Sequence, residues 1–178
     1  DFKSYVLGML FYRFISENLT NYLNKEEQRA DNNDFDYALI SDEDAEFARA
    51  ETVLEKGFYI LPSELFENVH KKAKDDDNLN ETLSTVFKNI ENSAKGTASE
   101  DSMKGLFDDI DVNSNKLGAT VQKRNALLVK IMDSIASLGL GDYQDNNNDT
   151  FGDAYEYLMT MYASNAGKSG GEFFLSNY

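Results

Sequence analysis

Apolar residues crowd the first twenty positions more densely than a one-sided helix requires. Val6, Leu7, Met9, Leu10, Phe11, Phe14, Ile15 and Leu19 fall on nearly every side of a helical wheel. The pattern predicts a helix from Phe2 to about Tyr22, buried around most of its circumference and central to the fold. Polar and charged residues dominate from Asn24 to Asp44 and predict a solvated connection, with a helical continuation through Phe47 and Leu54 that stops at Gly57. Phe58-Tyr59-Ile60-Leu61 reads as a short extended piece. Pro62 then suits the entry to a helix starting near Ser63, with Leu65, Phe66 and Val69 facing inward.

Lys71 to Asp77 reads as a charged loop, and Asn78 three residues ahead of Glu81 has the form of a reciprocal helix cap. The helix that follows places Leu79, Leu83, Val86, Phe87 and Ile90 on one face. A soft segment from Asn92 to Glu100 precedes a short helical piece, Met103 to Ile110. Thr120 to Leu138 predicts a long amphipathic helix with Leu127, Leu128, Ile131, Ile135 and Leu138 toward the core, ended by Gly139 and Gly141. Phe151, Ala154, Tyr155, Leu158, Met161 and Tyr162 repeat that spacing and predict a last helix before Gly167 to Gly171. The sum is an all-α single domain of about six helices, without an internal repeat or an alternating run long enough for a sizeable sheet.

Composition narrows the function classes. With 178 residues, 41% of them hydrophobic, the chain can bury one core, and one folding unit is expected. It contains no cysteine, which removes disulfides, thiolate nucleophiles and cysteine zinc sites and makes the reducing cytoplasm the natural compartment. A single histidine builds no metal cluster, and no apolar run is long enough to span a bilayer. The formal net charge of −15 repels phosphate and argues against autonomous nucleic-acid binding. The chain begins at Asp1 directly in an apolar helical pattern and ends shortly after a Gly-rich turn, so both ends are expected to be cuts rather than domain edges.

Each candidate for chemistry has a plainer reading. Asp109, Asp111 and Asn113 begin like a calcium loop, but Ser114 stands where a glycine is needed and Thr120 where a bidentate glutamate is needed, so a helix-linking loop with capping side chains is expected. Asp145 to Asp149 reads as a solvated turn leading to a cap. His70 has no partner visible in the sequence, and a partly exposed structural role is expected. Asp108, Asp109 and Asp111 read as a solvated face rather than an acid-base pair. Gly167-Lys168-Ser169 lacks the earlier glycine of a phosphate loop, since Tyr162 occupies that position. No catalytic and no metal-ligating residue is assigned.

One set of motifs is more specific. Phe151-Gly152-Asp153-Ala154-Tyr155-Glu156-Tyr157-Leu158, then Ala163, Gly167-Lys168 and Gly170-Gly171-Glu172-Phe173-Phe174, resembles the junction between the N-terminal helical domain and the catalytic domain in modification subunits of bacterial type I restriction-modification systems. Tyr5 to Ser16, Lys56 to Pro62 and Lys116-Leu117-Gly118 resemble the same family, so the likeness spans nearly the whole chain. The family continues after Phe-Phe with Thr-Pro, where this chain reads Leu175-Ser176-Asn177-Tyr178. Its Gly-rich cofactor loop and Asn-Pro-Pro-Phe motif are absent from this sequence.

The resemblance implies residues 1–166 as the helical domain and 167–178 as a linker and the start of a Rossmann-like methyltransferase domain. It implies a full-length subunit that transfers a methyl group from S-adenosylmethionine to N6 of adenine in double-stranded DNA, with the base flipped out; this stretch alone is expected to be catalytically silent and to hold no cofactor. The implied partners are a specificity subunit, a second modification subunit, a restriction subunit and duplex DNA reached through the complex, with no membrane. Glu172, Phe173 and Phe174 would be the incomplete beginning of a cofactor-binding motif. Lys123, Arg124, Lys130 and Lys168 are the candidate DNA contacts on charge and helix position, against the plainer reading that they solvate an outer face. The competing expectation from another class is an independent acidic helical module that binds a protein through an apolar groove.

Overall fold

The structure, a computed structural model, describes residues 2–139 together with Thr160. The last predicted helix, the Asp145–Asp149 turn, Lys168 and the Glu172-Phe173-Phe174 motif lie outside the described residues.

Among the described residues the fold is all-helical, without strands. The α-helices are α1 (Phe2–Arg29), α2 (Asp42–Ala45), α3 (Arg49–Lys56), α4 (Phe66–Ala73), α5 (Leu79–Ser93), α6 (Glu100–Asp108) and α7 (Val121–Ser137), joined in part by short 3-10 turns. All but the one-turn α2 have eight residues or more, in keeping with the expected all-α class.

Helix α1 is the axis. Val6, Met9, Leu10, Phe11, Phe14, Ile15 and Leu19 are all buried, as is Tyr12, because α4 and α7 pack along it and the α6–α7 connection closes over its N-terminal half. Tyr12 makes edge contacts with Phe66 and Phe87, and Phe87 stacks on Phe107, so α1, α4, α5 and α6 share one aromatic core. Gly8 lets the chain after α6 approach, since a Cβ there would overlap the Ile110 side chain.

Three local expectations are corrected by tertiary contacts. The stretch from Asn24 is largely exposed but not a plain connection: α1 continues to Arg29, and the following 3-10 turn (Tyr37–Leu39) inserts Tyr37 and Ala38 into the core. Its entry is pinned by Asn24 Oδ1, which accepts from the Tyr37 amide at 2.8 Å. The predicted helix at Ser63 begins instead as a 3-10 turn (Pro62–Glu64), and α4 follows from Phe66 and runs to Ala73, shortening the expected loop after Lys71. The Asn78 side chain does not cap α5. Asn125 of α7 serves there, accepting from the Asn80 amide at 3.0 Å, while Asp76 braces the approach by accepting from the Asn78 amide and the Thr82 hydroxyl. A helix end left with unpaired amides is satisfied across the fold when a better-placed acceptor is available. Gly57 does end α3 as expected, at φ 87°.

The far end of α7 is closed from α1. Arg13 Nη1 donates to the carbonyls of Ile135 (2.6 Å) and Leu138 (2.7 Å), and its Nε pairs with Glu17 at 2.8 Å. Replacing Arg13 by Met removes a cationic cap from nearly buried carbonyls and is expected to lower stability by about 2–3 kcal/mol in chemical denaturation. Arg13→Lys should recover only part of that loss, because an ammonium lacks the planar fork; full recovery would mean that charge alone matters.

Candidate functional site

Two surfaces carry the polar chemistry of the domain. The first is the outer face of α7. Thr120 starts this helix with its hydroxyl accepting from the Lys123 amide at 3.2 Å, and Arg13 closes the other end, so α7 is held at both termini. Lys123 and Lys130 are exposed and seven positions apart, which puts them on one face two turns apart. Arg124 is half-buried: its Nη1 donates to Gly118 O (3.2 Å) and lies 3.4 Å from Asn115 Oδ1, bracing the preceding 3-10 turn (Asn115–Leu117). The structure therefore brings Lys123 and Lys130 together and gives Arg124 a structural task, which its sequence position next to Lys123 did not reveal.

Gly118 has a physical requirement. It sits at φ 157°, ψ 157°, a conformation left almost entirely to glycine, and a Cβ there would lie 2.8 Å from Lys123 Cβ and 3.1 Å from the Arg124 amide nitrogen. One turn beyond Lys130 on α7, Asp133 shares a 2.7 Å hydrogen bond with His70 Nε2, whose ring stacks on Phe66. That is the partner the sequence could not identify, and it makes His70 a tie between α4 and α7.

The oxygen-rich segment after α6 is a structural loop. Asp111 Oδ1 accepts from the Asn113 amide, Asn113 Oδ1 accepts from Asn80 Nδ2, and the Asp111 carbonyl accepts from the Tyr5 hydroxyl. Its side chains are engaged in capping and in docking the loop on α1 and α5. Among the described residues no three His, Asp or Glu side chains converge as a metal site would require.

The second surface is a groove of about 530 Å³ between α3, the extended Phe58–Leu61 piece and α5. Arg49 lies over the Tyr59 ring, 5.1 Å from its centroid, and is held by two hydrogen bonds to Glu46. That pairing lowers the Glu46 carboxyl below its ordinary range. Glu64, half-buried in the groove, accepts from Asn89 Nδ2 at 2.7 Å; burial pushes its carboxyl up, the Asn89 hydrogen bond opposes this, and Asp42 adds to it. Sequence reasoning did not single out Arg49, Glu64 or Asn89. They stand far apart in the chain without a recognisable motif.

The comparisons with known proteins concern nearly the whole chain. Residues 1–135 match the family described as HsdM N-terminal domain, and residues 146–177 match N-6 DNA Methylase. The type I restriction enzyme MpnII methylase subunit of Mycoplasma pneumoniae is 47% identical over 181 residues, an alignment that covers 98% of this chain and 33% of that protein. The crystal structure of the type I restriction-modification system methyltransferase subunit from Streptococcus thermophilus superposes with a TM-score of 0.64 at 29% identity, covering 92% of this chain and 34% of that one. The chain thus spans about a third of the length of the relatives it matches.

Gly118→Ala is expected to destabilise the domain by about 1–3 kcal/mol through backbone strain alone, with the overlap on Lys123 adding to it. A denaturation midpoint equal to wild type would refute the backbone assignment. For Glu64→Gln the sign follows from the raised folded-state carboxyl. Below the unfolded-state range both proteins carry a neutral side chain, and they should be alike; as pH rises through the folded value, wild type alone pays for a half-buried charge. The variant should therefore melt higher at pH 7, with the gap closing near pH 4, as a pair of thermal melts can establish.

Proposed function

Because the chain belongs to the family of HsdM N-terminal domains, we propose that it is the assembly and DNA-clamp domain of a type I restriction-modification DNA adenine-N6 methyltransferase subunit. The observation that carries this reading is the succession, along one chain, of the helical-domain match over residues 1–135 and the N-6 DNA Methylase match over residues 146–177. In this reading the helical domain occupies residues 1–166, and residues 167–178 open the catalytic domain. Glu172, Phe173 and Phe174 are proposed as the first cofactor-proximal residues, supported by their place inside the methylase match.

The whole subunit would transfer a methyl group supplied by S-adenosylmethionine to adenine N6, inside the cytoplasm. It would act in an assembly with a specificity subunit, a second modification subunit and a restriction subunit. The domain's own share is positioning. A surface with a net charge of −15 cannot hold DNA by itself, so long-range attraction falls to other subunits and only local cations of this domain approach phosphates. Lys123 and Lys130 are the best placed of these, being exposed on one face of a helix fixed at both ends. Arg124 and Lys168 are proposed with them, Arg124 through the donors that its bonds to Asn115 and Gly118 leave over.

The test is charge reversal of Lys123 and Lys130 to Glu in the full-length subunit assembled with its specificity subunit. DNA affinity should fall at low salt, and the dependence of log K on log salt should become shallower by about 0.9 per lost phosphate contact. An unchanged slope would remove both residues from the interface. Methylation of adenine in duplex DNA by the same wild-type complex, read by mass spectrometry of the nucleosides, checks the reaction itself; methylation at another position would overturn that assignment.

A further inference from the structure

The stretch from Glu46 to Lys56 turns apolar side chains outward. Phe47 is 89% exposed and Leu54 84% exposed, with exposed Ala50 between them. Spacings of three and then four residues align the three as a stripe along one side of the short 3-10 turn (Glu46–Ala48) and α3. Ala50 also borders the groove described above, whose lining includes Val53 and Leu61 beside Arg49, Glu64 and Asn89. Large apolar side chains exposed together at such values mark an interaction surface rather than ordinary scatter.

Charge decides what can cover them. Asp42, Glu43, Asp44, Glu46, Glu51 and Glu55 surround the stripe in sequence, against Arg49, which is already paired with Glu46, and Lys56, which is buried with its ammonium over the Tyr22 ring. We propose that this acid-rimmed stripe and its groove dock an amphipathic helix of a partner subunit, with apolar anchors on one face and Lys or Arg on its flanks. Duplex DNA is repelled by the rim, and a second copy of the same surface would bring two acidic rims face to face. A basic partner instead pairs with them, and one of its cations reaching into the groove would meet the Glu64 carboxylate, which accepts from Asn89 Nδ2. The geometry is that of a helix laid into a groove, with anchors at the spacing of Phe47, Ala50 and Leu54.

This inference rests on the assembly reading given above, and the experiment separates the two. The full-length modification subunit carrying p-benzoylphenylalanine in place of Phe47 is assembled with its specificity and restriction subunits, irradiated and digested. Adducts are expected on a helix of another subunit flanked by Lys or Arg. Adducts confined to the same chain, to a second modification subunit or to DNA would overturn the proposal, as would none from a complex shown by native mass spectrometry to be assembled. In parallel, Phe47→Asp with Leu54→Asp should weaken subunit association at least about tenfold while leaving the melting temperature unchanged, because both side chains already face solvent. If wild type assembles and this variant assembles equally well, the docking surface is wrong and the assembly reading stands. If wild-type subunits do not associate at all, the assembly reading fails and this surface falls with it.

Discussion

A helix that is apolar around most of its circumference must be enclosed, and the N-terminal two-thirds of α1 is such a helix: Val6, Met9, Leu10, Phe11, Phe14, Ile15 and Leu19 are inaccessible to water. Each large aliphatic or aromatic side chain buried in this way contributes about 1.5–3 kcal/mol, so the arrangement of the other helices is dictated by the need to cover it. Helices α4 and α7 lie along it, and α5 and α6 reach it through Phe87 and Phe107. Gly8 admits Ile110 where a larger side chain would hold the loop away.

Tyrosines then fasten the irregular segments to this frame. Tyr5 donates to the Asp111 carbonyl, Tyr12 to Glu64, Tyr37 to Ile60 and Tyr59 to Ala45. In each case an aromatic ring fills the core while its hydroxyl satisfies a backbone carbonyl that no helix ladder reaches. Burial pushes the Tyr12 and Tyr37 phenols far above their ordinary values, so they remain donors throughout the physiological range. The same economy appears at helix ends, where Arg13 closes α7 and Asn125 covers the start of α5. Polar groups in this domain hold elements to one another.

The outer surface is divided accordingly. Lys123 and Lys130 stand exposed on one face of α7, whereas the segment around α3 combines acidic side chains with outward-facing Phe47 and Leu54. The domain thus carries faces of different chemistry, one with lysines on a helix held at both ends and one acidic and apolar. The Arg49–Glu46 pair and the Arg49 contact with Tyr59 tie the start of α3 to the extended Phe58–Leu61 piece beside the apolar stripe.

Helical class, the central role of α1, the inward face of α5 and the span of α7 were legible in the chain itself, because each depends on a local period that side-chain burial enforces. The family likeness was legible too, in the junction and in the stretches around Tyr5, Lys56 and Lys116. Lys123 and Lys130 could be placed on a helix from spacing alone. Tertiary structure decided what depends on residues distant in sequence: that Arg124 braces Gly118, that His70 meets Asp133, that Tyr37 is buried within a polar stretch, and that Asn125 rather than Asn78 serves the first turn of α5. It also decided that Phe47 and Leu54 face water, since a helical period says which residues share a side but not which side the rest of the molecule covers.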